Sequence, residues 1–267
     1  MALRALLFDV DGTLADTEPQ GHLPAYNRAF KELGLGWQWS KKLYRQLLLL
    51  PGGRERIEHY LREHEPDLGH HRDEVKRNRE AWVDSLHRLK SRHFRERLQS
   101  GRVSLRPGVR RLMLEAGRAG LELALVTNAS RATLEPFLEH ILGPELNAFV
   151  SVIASGEEVA RKKPAADLYQ LALRRLGRRP GECIALEDSA MGAAAARAAS
   201  IPVVVTVNAD TRGQDFTDAL LVVDQLGEPD APCRVLGGPR RDVGCVNLAL
   251  LERLLAESER LPRAAGS

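Results

Sequence analysis

Ala5-Leu6-Leu7-Phe8-Asp9-Val10-Asp11-Gly12-Thr13-Leu14 is the stretch on which the fold turns. Residues 2–10 form a short apolar run ending in carboxylates, the pattern of a central parallel strand buried on both faces. Two aspartates then sit two apart where the strand gives way to a glycine turn. An extended i, i+2 spacing points both side chains the same way. Open α/β sheets place their sites at the carboxyl ends of their strands. Such a pair suits a nucleophilic carboxylate beside a second carboxylate that handles protons. A turn rich in Asp and Gly but without chemistry has the same composition, so the pair needs support from the rest of the chain.

Outward from that strand, apolar runs at 121–126, 150–154, 183–186 and 202–207 read as further strands, with 220–223 as an added edge. Helical patterns at 109–119, 132–141, 164–176 and 190–199 separate them. Strands alternating with helices predict a parallel sheet with right-handed crossovers. The expected fold is α/β, a Rossmann-like parallel sheet core with an inserted all-helical cap domain. The insertion is read from the gap between the first two strands, where residues 17–106 hold no convincing strand. Helices are expected there at 22–33, 41–50, 54–63 and 73–98, with Arg and Glu at helical spacing on solvated faces. The domain reading is a core of residues 1–16 and 105–267 and a helical cap domain of residues 17–104. Residues 227–238 are rich in Gly and Pro and read as a loop, 246–256 as a last helix, and 263–267 as frayed.

Composition removes several classes. The chain has 267 residues, 43% hydrophobic and 28% charged, which excludes a disordered or fibrous protein. No stretch approaches the ~20 apolar residues of a membrane helix, and the N-terminus is too short and too acidic for a signal peptide. Three cysteines, Cys183, Cys233 and Cys245, are odd in number and carry no CxxC pair, so a reducing cytoplasm is the expected compartment. With 39 basic against 36 acidic residues the charge is too balanced for a nucleic-acid-binding field. No nucleic-acid or membrane partner is expected, and the chain is expected to be a monomer.

Asp9-Val10-Asp11-Gly12-Thr13-Leu14 has the form DxDGT[LV], the first motif of the haloacid dehalogenase-like hydrolases, which the chain resembles there. The other motifs follow in order: Thr127 in ALVTN, Lys163 just before Pro164 in RKKPAAD, and Glu187-Asp188 in CIALEDS. Each also has a plain reading. Thr127 and Asn128 can end a strand, Lys162 and Lys163 can be an exposed pair, and Glu187-Asp188 can cap the next helix. The apolar strand before Glu187 makes an unpaired acidic pair costly, which favours a metal.

The resemblance implies phosphoryl transfer through an aspartyl-phosphate. Asp9 is then the nucleophile and Asp11 the acid and base. Mg²⁺ is held by Asp9, Asp11 through its backbone carbonyl, and Asp188, with Glu187 as ligand or support. Magnesium prefers oxygen ligands, which matches this acid set. Thr127, the amide of Asn128 and Lys163 neutralise the phosphoryl oxygens. Family dehalogenases lack an acid at the Asp11 position, so Asp11 points to phosphate esters.

A closer resemblance lies in the insertion. Asp16-Thr17-Glu18-Pro19-Gln20-Gly21-His22 with Ala25-Tyr26-Asn27, and Gly52-Gly53-Arg54-Glu55-Arg56-Ile57, are similar to segments of the CbbY-type phosphatases. Studied members of that subgroup remove phosphate from xylulose-1,5-bisphosphate, which ties them to the Calvin cycle. By that likeness Glu18, His22, Gly53 and Arg54 bind substrate, with Arg54 gripping the phosphate that is not cleaved. Arg56 reads as a solvated face. Pro51 and Leu23 depart from the subgroup's pattern. The expected function is a Mg²⁺-dependent sugar-bisphosphate phosphatase. A phosphosugar mutase of the β-phosphoglucomutase kind shares the motifs. A catalytically inactive binding module would be expected to have lost one of Asp9, Asp11, Lys163 or Asp188, and all four are present.

Overall fold

The computed structural model describes residues 2–240 and 242–258. Seven strands make one sheet: β1 (Ala5–Phe8), β2 (Glu122–Val126), β3 (Val150–Ala154), β4 (Cys183–Glu187), β5 (Val203–Thr206), β6 (Leu221–Val223) and β7 (Val235–Gly237). Their order is β3-β2-β1-β4-β5-β6-β7. All pairs are parallel except β6 with β7. Phe8 lies level with Leu125 on one side and Leu186 on the other. That register brings the residues after β1, β2 and β4 to one end of the sheet, where the motif residues stand.

The chain groups into two compact units. The first holds the sheet and comprises residues up to Ala15, Leu105–Arg131 and Leu142 onward. β1 is wholly buried, and alternation sends its residues to two cores. On one face Ala5 and Leu7 pack with Ala124, Val126 and Ala185 against Leu168, Tyr169 and Ala172 of helix Asp167–Leu176 and Ala195 and Ala196 of helix Ala190–Ala198. Leu6 and Phe8 face the other way and are as fully buried.

The second unit comprises Asp16–Ser104 and Ala132–Ile141. Its helices include α1 (Leu23–Glu32), α2 (Lys41–Leu47), α3 (Gly53–Glu63), α4 (Arg72–Arg77) and α5 (Arg79–Gln99). An aromatic cluster fills its core: Trp39 packs against Tyr26, Phe30, Tyr44 and Tyr60, and Trp37 against Phe30, Tyr60 and Trp82. The exposed faces carry the Arg–Glu pattern, as in Arg79–Glu58 at 2.8 Å.

Three sequence expectations need correction. Residues 227–238 are not all loop, because Val235–Gly237 form β7, pairing antiparallel with β6. A three-residue strand between turns gives no period to read. The helix expected over 73–98 breaks at Asn78, whose side chain accepts from the Ala81 amide and starts α5. Residues 132–141, expected in the core, group with the second unit, since spatial grouping follows packing rather than chain order. The segment 263–267 lies outside the described residues. Among the described residues no helix is long and apolar enough to cross a membrane.

Candidate active site

Lys163 is the centre of the site. It is 3% exposed, and its ammonium has three donors. These reach Asp9 Oδ1 at 2.7 Å, the Val126 carbonyl at 2.7 Å and Glu187 Oε1 at 2.6 Å. The residues that end β1, β2 and β4 are thereby tied to one charge. Tyr169 adds a second donor to Glu187 Oε1 at 2.6 Å, and its ring lies 5.2 Å from the Lys163 ammonium. Asn128 fixes Lys163 from behind: its Oδ1 accepts from the Lys163 amide at 2.9 Å. Its side chain is therefore engaged on the backbone. Thr127, buried, accepts from the Ala129 amide at 3.0 Å and closes the turn after β2.

Carboxylate oxygens of Asp9, Glu187 and Asp188 lie within 4.8 Å of one another, all three residues buried. Asp11 is half-buried and its carboxylate stands outside that group. Asp188 Oδ2 accepts from Asn208 Nδ2 at 2.6 Å. Gly12, at φ +92°, lies against the same carboxylate; an added Cβ would overlap Asp188 Oδ2. Gly192 likewise leaves no space between its backbone and Glu187 Oε2. The plain reading of Glu187-Asp188 as a helix cap fails here, because Ser189 is the cap of helix Ala190–Ala198, accepting from the Gly192 amide at 3.1 Å.

The cluster fits a divalent cation. Asp9 Oδ2 is buried without a hydrogen-bond partner. Three carboxylates against one ammonium leave an excess of negative charge that burial makes costly. An oxygen-only donor set is what a hard cation takes. Burial pushes the Asp9 carboxyl up to about 7, against the pull of Lys163. Burial, then Asp9 and Glu187, push Asp188 well above the ordinary carboxylate range, opposed by Arg106 and Asn208. Burial disfavours the charged form of Lys163, yet Asp9 and Glu187 together hold its ammonium above the usual lysine range.

The expected cap residues separate into three groupings within the second unit. Glu18 accepts from Tyr44 and from Arg56 Nη1, the latter at 3.2 Å. His22 stacks on Phe94 at 3.8 Å, and its Nδ1 lies 2.7 Å from buried Lys90. Arg54 pairs with Asp84 at 2.7 Å, and the Gly53 carbonyl accepts from Tyr26 at 3.0 Å. Arg56 corrects the sequence reading: its side chain is 11% exposed and holds Glu18, so it is no solvated face. Sequence reasoning also passed over Tyr169, Asn208, Lys90 and Arg106. Only Tyr169 carried a signal, as an apolar position of a helix that starts just after the Lys163-Pro164 pair.

Comparisons with known proteins give the family. The family model for haloacid dehalogenase-like hydrolases matches residues 3–200. The chain belongs to the haloacid dehalogenase-like hydrolases. It is 45% identical over 230 residues to the plasmid-borne protein CbbY of Cupriavidus necator, covering 86% of this chain and 88% of that one. Among solved structures it is similar to CbbY of Rhodobacter sphaeroides in complex with phosphate, with a TM-score of 0.76 and 38% identity over 84% of this chain and 94% of that chain. A mutant of the same CbbY, solved in complex with xylulose-(1,5)-bisphosphate, matches equally well. Family and relatives together make the chain an enzyme, a phosphatase of this superfamily.

The buried acid cluster has a thermodynamic signature. A carboxyl whose folded pKa lies above its unfolded value contributes stability in full below the unfolded value and loses it as pH rises through the folded one. For Asp9 that window runs from about 4 to about 7. Glu158 and Glu182, pulled down to about 2 by Arg175 and Arg179, act with the opposite sign and only at lower pH. In chelator, the protein should therefore melt at a lower temperature at about pH 8 than at about pH 5.5, and Asp9→Asn should flatten that slope. Melting curves that rise with pH, or a slope indifferent to Asp9→Asn, would contradict the burial of this charge.

Proposed function

We propose that this chain is a Mg²⁺-dependent phosphatase acting on xylulose-1,5-bisphosphate through an aspartyl-phosphate on Asp9. The observation that carries the chemistry is Asp9 itself, with one carboxylate oxygen held by Lys163 and the other buried without a partner. The substrate rests on the likeness to the Rhodobacter CbbY, whose mutant was solved with that sugar bisphosphate.

Asp9 attacks phosphorus with one carboxylate oxygen, and the bond from phosphorus to the sugar oxygen breaks. Asp11 gives its proton to the departing alcohol and then takes one from water. That water attacks the aspartyl-phosphate, inorganic phosphate leaves, and Asp9 is regenerated. Lys163 aims Asp9 and favours its ionised form against the effect of burial. All three of its protons are committed within the protein, so it acts on phosphate chiefly through Asp9. Thr127, which accepts from Ala129, keeps its hydroxyl proton to donate to a phosphoryl oxygen. Asp9, the Asp11 carbonyl and Asp188 would hold Mg²⁺, with Glu187 supporting the site through Lys163 and Tyr169. The cation supplies charge neutralisation for the phosphoryl oxygens.

On the cap, Glu18 and His22 are proposed to meet sugar hydroxyls, and Gly53 and Arg54 the distal phosphate. Arg54 is 43% exposed, so its Asp84 pair leaves it open to an anion.

Phosphate release from xylulose-1,5-bisphosphate is the direct assay. Asp9→Asn should keep the fold and lose many decades of turnover, since an amide is no nucleophile. Chelator should silence the wild type and Mg²⁺ restore it. Activity of the asparagine variant within tenfold of wild type would end the covalent mechanism, and isomerised sugar phosphate without released phosphate would make the enzyme a mutase.

Arg54 gives a sharper substrate test. A charge-assisted bidentate contact is worth ~2–4 kcal/mol, or ~30- to 1000-fold in kcat/KM. Arg54→Ala should cost a pentulose bisphosphate that much and its monophosphate little. Equal losses on both substrates would make Arg54 structural, and no loss on either would remove it from substrate binding.

A further inference from the structure

Arg106 lies at the foot of the site, 8% exposed, just after the chain re-enters the first unit. Both of its terminal nitrogens are engaged, each by two backbone carbonyls. Nη1 donates to Gly12 O and to Thr206 O, the latter at 2.8 Å. Nη2 donates to Val207 O at 2.6 Å and Asp224 O at 2.9 Å. One planar group thus gathers the turn after β1, the end of β5 and the end of β6. A lysine ammonium carries a charge of the same sign but cannot offer four donors in one fixed plane.

Asn208, two residues past β5, adds a second tie to the same place. Its Nδ2 donates to Asp188 Oδ2 at 2.6 Å and lies 3.5 Å from Gly12 O. Its Oδ1 accepts from the amides of Asp210 and Thr211 at 2.8 and 3.2 Å, which fixes the amide's orientation. Gly12 O is therefore bracketed by Arg106 and Asn208, and the Gly12 backbone presses on the Asp188 carboxylate. The Asp11 carbonyl belongs to the same turn.

We propose that Arg106 and Asn208 are positioning residues for the metal site, setting the Asp11–Gly12 turn and the Asp188 carboxylate in the geometry a divalent cation needs. Arg106 works through the Gly12 carbonyl and Asn208 through Asp188 Oδ2, leaving Asp188 Oδ1 for the ion. Neither residue touches substrate. This rests on the proposed reading of the acid cluster as a Mg²⁺ site. Partners that orient metal ligands are typically worth 10- to 100-fold in metal affinity.

The test is Mg²⁺ binding measured by calorimetry on the full chain, without substrate, for the wild type, Arg106→Lys and Asn208→Ala, with melting curves in chelator. Wild type should bind Mg²⁺, and each variant should bind it about 10-fold or more weakly. In phosphate release, the half-saturating Mg²⁺ concentration should rise in parallel, with much of kcat regained at high Mg²⁺. A merely structural role would lower the melting temperature and leave Mg²⁺ affinity unchanged; that result overturns the proposal. If Arg106→Lys fails to fold, Asn208→Ala decides alone, since Asn208 is half-buried and makes fewer backbone ties than Arg106. No Mg²⁺ binding by the wild type would instead overturn the metal reading itself, and this inference with it.

Discussion

Everything at the site depends on one buried ammonium between two buried carboxylates. Lys163 joins Asp9 to Glu187 and also holds the Val126 carbonyl, so a single side chain bonds to the ends of three neighbouring strands. A pair this deeply buried costs solvation and repays it only with near-complete hydrogen bonding. The protein meets that condition around Lys163, whose three donors are all used, and around Glu187 Oε1, which accepts from Lys163 and Tyr169. It does not meet it at Asp9 Oδ2. Within the Asp9–Glu187–Asp188 cluster, the buried carboxylate oxygen without a hydrogen-bond partner belongs to the residue the sequence marks as nucleophile. That is where a cation and a phosphoryl group would have to approach.

The same constraint explains the surroundings. Gly12 and Gly192 have no room for a side chain because carboxylates occupy that space. Gly156 is held to hydrogen by the carbonyl of Asn128, whose side chain in turn positions the Lys163 backbone. Each contact tightens the same end of the sheet, and strand register delivers the residues there in the first place.

The sheet and the four motifs were readable because they rest on strong local signals: apolar runs of strand length, three of them ending in a polar residue of particular chemistry, and a lysine just before a proline. β7 was not, since three residues between turns have no period. The break at Asn78 was hidden inside a pattern helical on both sides. Arg106 and Arg56 were illegible for a different reason. They are two of 32 arginines in a chain whose arginines mostly coat helices, and nothing in their neighbours' identity distinguishes a buried fork from a solvated one. Burial of a long cation is decided by distant carbonyls and carboxylates that only the folded chain brings together. Asn208 is a similar case, recruited by Asp188 across 20 residues of sequence.

The central claim is that Asp9 becomes covalently phosphorylated. The most direct measurement is acid quenching of the enzyme during turnover of a sugar bisphosphate, followed by peptide mass spectrometry. The expected result is one phosphoryl group on the peptide containing Asp9, absent from Asp9→Asn. Phosphate found on another residue would contradict an Asp9 nucleophile, as would turnover with no phosphorylated enzyme at any quench time.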